Sequence, residues 1–199
     1  MMYFKTLCRF ICFPKRIILK LLNKYRFGRF GNRSYIKSAL RIDYPKNIYI
    51  GNNVFVGYKS WLASVPLTGE KSKLIIEDGC VLGNFNHIYA TNSVVIHKEV
   101  LTADKVYISD NLHGYDNINI PIMYQPIIQK KIVEIGEGSW LGENVCIIGA
   151  SIGKHCVVGA NSVVTKDIPD FSVAVGSPAK VIKKFDIHLN KWVKVCYDK

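Results

Sequence analysis

From Ile135 to Ile168 an aliphatic residue returns at about every sixth position: Ile135, Leu141, Ile147, Ile152, Val158, Val164. Gly136, Gly142, Gly153 and Gly159 stand directly behind four of them, and Ser139, Val145, Cys156 and Ser162 stand four places on. A six-residue period matches neither the 3.6-residue helix nor the simple alternation of an ordinary strand. It fits short flat strands that turn a corner every six residues and point one apolar side chain inward, the repeat of a parallel β-helix. The same rhythm starts irregularly after Ser34. Hexads open at Ile50, Val56 and Leu62, a polar turn-out covers Thr68–Lys73, and residues 76–93 supply three more hexads. After a two-residue slip, residues 96–113 give another three, with Thr102 in an aliphatic slot. Three such faces would close a triangular coil of about eighteen residues, and stacked coils would pair at the ~4.8 Å spacing of neighbouring strands.

Where the rhythm fails, other structure is expected. Residues 114–131 break it completely, and Tyr115, Ile118, Ile120, Ile122, Met123 and Tyr124 make that insertion too apolar for a solvated tether. It reads as an ordered arm that packs on something. The stretch 15–25 alternates lysines with Ile17, Ile18, Leu21 and Leu22 in a basic amphipathic pattern. Either it forms a foot on an anionic membrane, or it packs on the domain or on a neighbouring subunit. After Ile168, Pro169 ends the regular coil, and residues 185–199 are expected to form a short helix that covers the open end.

Composition adds limits. A chain of 199 residues with 49% hydrophobic content suits one domain with appendages. The boundaries read as a basic segment 1–35, a repeat domain 36–184 with the arm inserted at 114–131, and an extension 185–199. The net charge is +12, but nine basic residues precede Arg33 inclusive and no acid precedes Asp43. The charge therefore belongs mostly to the N-terminus and does not argue for nucleic acid. Six cysteines carry no CxxC or metal spacing. Cys80 and Cys156 fall on small inward positions, as buried hydrophobes in a reducing compartment. No secretory signal or ~20-residue apolar span is evident, so a cytoplasmic protein is expected.

Three segments then carry a resemblance: WLGENV (140–145), VGANSVVTKDIP (158–169) with VGSPAKVI (175–182), and ISDNLHGY (108–115) ahead of Pro121, Gln125 and Pro126. From about Ile36 to Ile182 the chain resembles the hexapeptide-repeat acyltransferases, in particular the galactoside/maltose and polysaccharide O-acetyltransferase branch. The resemblance implies an all-β, left-handed parallel β-helix, whose hand the spacing alone does not reveal. It also implies a homotrimer with active sites between subunits, acetyl-CoA as acyl donor, no metal, and a sugar or saccharide acceptor.

Acyl transfer to a hydroxyl needs a base for the proton and donors for the oxyanion. Histidine is the usual base. His113 closes the last hexad before the arm, at a coil edge, and matches the family's catalytic histidine. The resemblance further makes Asn84 an acceptor contact, with an asparagine ladder or turn as the other reading. It sets Trp140 along the pantetheine arm, unless Trp140 is a buried corner residue. It gives the oxyanion to the backbone N–H of Glu143, and CoA contacts to Ala160, Thr165, Lys166, Lys180 and Lys183. Asp110 or Asp116 would orient His113. His87 is a candidate substrate contact; His155 reads as solvent-facing, and His97 and His188 take no role. Asn111 stands where the branch often carries a first histidine, and Ile147–Ser151 is one residue short.

The function expected is therefore an acetyl-CoA-dependent O-acetyltransferase on a sugar, in surface polysaccharide biosynthesis at the inner face of the cytoplasmic membrane. A xenobiotic (antibiotic) acetyltransferase of the same fold is the alternative. A γ-type carbonic anhydrase would need further histidines soon after His113, and none follows before His155.

Overall fold

The computed structural model describes Asn23 and residues 25–195. Most of the basic N-terminal segment, including the amphipathic stretch up to Leu22, lies outside the described residues.

Every inward aliphatic of the hexads is buried. Ile50, Val56 and Leu62 are 0% exposed in one coil, as are Ile76, Leu82 and Ile88 in the next and Ile135, Leu141 and Ile147 further on. These residues form a single apolar column along the axis. Thr102, the one polar occupant of an aliphatic slot, is also buried. Its hydroxyl accepts from the Gly83 N–H at 3.1 Å and from the Asn86 side-chain amide, so the polar atom is satisfied inside the core.

The strands sort into three parallel faces. The first stacks Arg29–Phe30, Ile48–Ile50, Lys73–Ile76, Ser93–Ile96 and Val133–Ile135. The second runs from Tyr35–Ile36 through Phe55–Val56, Val81–Leu82, Leu101–Thr102 and Trp140–Leu141 to Val157–Val158. The third holds Arg41–Asp43, Trp61–Ser64, His87–Ala90, Tyr107–Ser109, Cys146–Ile148 and Val163–Val164. The uniform eighteen-residue coil is not realised. Bonds that climb one coil join residues 20 apart at Asn32 and Asn52, 26 apart at Asn52 and Asp78, 17 apart at Ser139 and Cys156, and 16 apart at Lys154 and Asp170. Each face needs only two to four paired residues, so the corners absorb the difference.

At the tightest corners only glycine fits. A Cβ on Gly136 would lie 2.4 Å from the Gly153 carbonyl carbon of the coil above, and one on Gly57 would lie 2.3 Å from the Gly83 oxygen.

Among the described residues the expected C-terminal helix is absent. Ser172–Gly176, Ala179–Asp186 and Lys191–Lys194 instead make an antiparallel ribbon that continues the second face. Val181, Ile182 and Val193 favour strand over helix. Gly176, at φ 105, makes the turn into the second strand, and Phe185 meets Trp192 across the ribbon with ring centroids 5.4 Å apart.

The arm is ordered as expected. Asn111–His113 pairs antiparallel with Ile127–Gln129, and a 3-10 turn spans Ile122–Tyr124. Among the described residues, however, its tip is left open: Ile118 is 95% exposed and Met123 74%.

Candidate active site

The arm leans over the third face and leaves a cavity of about 470 Å³ between them. Trp61, His87, Tyr89 and Tyr107 form the floor, and Leu112, His113 and Ile127 of the arm form the wall. Ala63 and Ser109, on strands of the same face, are 0% exposed.

His113 sits on the first arm strand opposite Ile127. Its side chain is exposed and forms no hydrogen bond with any described residue. Neither acid expected to orient it does so. The Asp110 carboxylate is 0% exposed and accepts from the backbone N–H groups of Thr91, Asn92 and Ser93, each at 2.8 Å, and from the Asn111 side-chain amide at 3.1 Å. Asp116 is exposed and bonds to none of the described residues. Asp110 acts on the arm's base instead. Gln129 donates to the Asp110 carbonyl at 2.8 Å and the Lys130 carbonyl at 3.0 Å, and its own carbonyl meets the hydroxyls of Thr91 and Thr68. One buried carboxylate and one glutamine thus pin both arm strands to the coil below His113.

His87 enters the same cavity. Its imidazole lies face to face with the Trp61 indole, centroids 4.1 Å apart and 7° from parallel. Tyr107 closes on it at 5.1 Å. Burial among these rings pushes the imidazole pKa below its ordinary value, which favours the neutral form.

Asn84 does not join the site. Its side-chain carbonyl accepts the Tyr58 N–H at 2.9 Å, and its amide lies 3.1 Å and 3.2 Å from the two Asp104 oxygens. Asn52 is used in the same way, accepting the Asn32 N–H from the coil below and reaching Asp78 above. These are corner ladders, and Asn84 is spent on one. The bonds from Asn84 also hold the Asp104 carboxyl below its usual pKa. His87, three positions on, faces the cavity, and Asn84 does not line it.

The residues expected to meet CoA are distributed over the second face, the C-terminal ribbon and the two corners that flank the third face. Trp140 is 48% exposed, which removes the buried-corner reading. It shares an outward column of the second face with Val157, Val173, Lys183 and Lys194, which are register partners in sequence. Trp140 and Lys183 are therefore about 14 Å apart at the usual strand spacing. Glu143 and Ala160 stand one above the other, since the Asn161 N–H donates to the Glu143 carbonyl at 2.8 Å. The backbone N–H groups of Glu143 and Ala160 donate to no described residue, while the Glu143 carboxylate pairs with Lys105 at 2.9 Å. Thr165 and Lys166 are exposed on the turn after Val164. Lys166, Lys180 and Lys183 have no carboxylate partner among the described residues. Free amide N–H groups and unpaired lysines are the donors that a phosphate-bearing thioester requires. The short segment at Ile147–Ser151 closes on Gly149, at φ 58, which fits against Lys130.

The other histidines stand elsewhere. His97 lies 3.3 Å from Glu77 and 3.5 Å from Glu134. His155 is exposed, as expected, and stacks on Phe171. His188 lies in the exposed ribbon turn.

A family profile described as the hexapeptide repeat of succinyl-transferase matches residues 132–166. The putative lipopolysaccharide biosynthesis O-acetyl transferase WbbJ of Escherichia coli is 38% identical over 197 residues, covering 89% of this chain and 100% of that protein. The probable acetyltransferase Rv3034c of Mycobacterium tuberculosis is 41% identical over 135 residues, which are 67% of this chain and only 43% of that longer protein. Among solved structures, AntD, an N-acyltransferase from Bacillus cereus in complex with dTDP and 3-hydroxybutyryl-CoA, superposes with a TM-score of 0.71 at 20% identity, over 86% of this chain and 90% of its own. The fold is thus the left-handed parallel β-helix of hexapeptide repeats.

Proposed function

The chain belongs to the hexapeptide-repeat acyltransferases, and from that premise we propose that it is an acetyl-CoA-dependent O-acetyltransferase of a sugar hydroxyl in surface-polysaccharide synthesis. The observation that carries this reading is His113: an exposed imidazole, committed to no other group, on the wall of a cavity floored by aromatic rings. The name of WbbJ supports the O-acetyl and polysaccharide parts. The CoA ester bound by AntD supports the donor.

In this reading His113 takes the proton of the acceptor hydroxyl as its oxygen attacks the thioester carbonyl. The Glu143 N–H holds the charge that develops on the carbonyl oxygen. As the C–S bond breaks, the departing CoA thiolate takes the proton back from the imidazolium. Trp140, Ala160, Thr165 and Lys166 line the donor's path, and Lys180 and Lys183 meet its phosphates as point charges.

A trimer completes the site. Phe55, Val81, Leu101 and Trp140 form an exposed apolar column on the second face, and the arm's tip is exposed among the described residues. Both support packing against further copies. The nine basic residues of 1–33 would hold the enzyme at the inner face of the membrane, next to lipid-linked acceptors.

The test is release of CoA thiol from acetyl-CoA with a panel of nucleotide- and lipid-linked sugars, together with the His113→Ala variant. Acetyl ester formation that falls roughly 10²–10⁴-fold in the variant is expected for loss of a general base. No thiol release across the panel, or an unaffected His113→Ala, would sink the reading. Light scattering checks the trimer, and flotation with anionic vesicles checks the basic segment.

A further inference from the structure

Trp61, His87 and Tyr107 hold the same outward position on three successive coils of the third face. The stack is anchored from below. Asp43 accepts the Trp61 indole N–H at 2.8 Å, and the Arg41 guanidinium lies 4.9 Å from the indole ring centre. Tyr89 meets Trp61 and His87 edge-on, at 5.9 Å and 6.0 Å. The bracket fixes the His87 ring in a single orientation.

What the bracket does not give His87 is a hydrogen bond. Its imidazole bonds to no described residue, and Nε2 is the one buried side-chain nitrogen or oxygen without a partner among them. Neutral imidazole offers one donor and one acceptor. A buried polar atom left unpaired is costly, and it asks for an explanation. A scaffold that needed only an aromatic spacer here would be served by phenylalanine.

None of the residues that line the cavity is lysine, arginine or a carboxylate. A ligand carboxylate placed there would have no cation to pair with. A neutral pyranose fits better, with its C–H faces against the rings and leucines and its hydroxyls at the two histidines.

We propose that the cavity is the acceptor subsite for an uncharged pyranoside, and that His87 is its polar anchor, exchanging a hydrogen bond with a hydroxyl of the ring that His113 deprotonates. The inference rests on the proposed function, which supplies the acceptor. It adds the acceptor's charge class and the residue that holds it.

The experiment compares matched methyl glycosides, glucoside with glucuronide and galactoside with galacturonide, as acceptors for the wild type, His87→Phe and His87→Gln. Phenylalanine keeps the ring stack and removes both nitrogens; glutamine returns a donor and an acceptor. The wild type is expected to acetylate the neutral member of a pair. In His87→Phe the acceptor KM should rise at least ~10-fold, the loss of one ligand hydrogen bond, with the acetyl-CoA KM unchanged and a partial return in His87→Gln. A turnover-free readout is the imidazole C–H resonance that His87→Phe removes, which the neutral glycoside should shift.

Preference for the uronide, an unchanged acceptor KM with no resonance shift, or failure of every neutral glycoside to bind would each overturn the inference. Retention of activity in His113→Ala would instead bring down the proposed function. A dead His113→Ala that still binds glycoside, beside an unaltered His87→Phe, would bring down only the role of His87.

Discussion

The coils of residues 132–168 and the arm of 111–129 are near neighbours in sequence and are held by opposite means. Each coil residue is fixed many times over, by ladders above and below and by an aliphatic neighbour on the axis. The arm is fixed at its base, where Asp110 and Gln129 hold two short strands against Thr91 and its neighbours, and its tip lies open. The coil yields position without choice. The arm yields a side chain whose place depends on a few polar bonds, and His113 is that side chain. A base that must meet acceptors of different shapes is better carried by the second kind of structure than by the first.

The contrast can be broken on the coil side. Gly136→Val would put a Cβ 2.4 Å from a backbone carbon of the coil above, and overpacking against backbone should cost about 3 kcal/mol or more. Urea unfolding should show it, while Gly69→Ala, which meets nothing within 4 Å, should leave the transition in place. Breaking the arm's anchor should cost somewhat less stability but more function. Asp110→Ala leaves three backbone N–H groups and an amide without their acceptor. It should lose about 2–3 kcal/mol, open 115–124 to limited proteolysis, and abolish turnover.

Gln129→Ala sharpens the comparison. It removes neutral hydrogen bonds, so stability should fall by only about 1 kcal/mol. If the arm's precision matters, kcat should drop ~10-fold with little change in Tm. Equal percentage losses in both would mean that the arm is merely another coil.

The smallest effect is in pH. Burial lowers the His87 pKa, so the folded state binds that proton less readily than the unfolded chain does. The stabilisation of the neutral form is complete above the unfolded value near 6.5 and is lost as pH falls through the folded value. His87→Phe should therefore lose less of its Tm between pH 7 and pH 5 than the wild type, by scanning calorimetry.

How much of this was legible follows the same division. The inward positions Ile50 to Val164 could be read because one period repeats whatever lies beside it. The C-terminal ribbon could not, since residues 179–194 have no period and their strand form depends on the open second face beside them. The ladder bonds of Asn84 were not legible, because a corner ladder and a ligand contact use the same residue type and the same corner one coil earlier carries Tyr58, not another asparagine. His87 was visible only as a histidine near the right coil. Its stack on Trp61 joins residues 26 apart in the chain, a separation set by the polar turn-out at Thr68–Lys73.

Those separations have a consequence for how such a chain changes over generations. The neighbours of Asn52 are Asn32 and Asp78, and those of Asn84 are Tyr58 and Asp104. A substitution in a coil is therefore felt one storey up or down and hardly at all by the residues beside it in sequence. Compensating changes among descendants should be spaced 16, 17, 20 or 26 positions apart, according to the storey, and 39 apart across the storey that holds the arm. Within the arm they should instead pair residues such as Asn111 with Gln129 and Leu112 with Ile128. The two inheritance patterns could then be told apart in sequences alone.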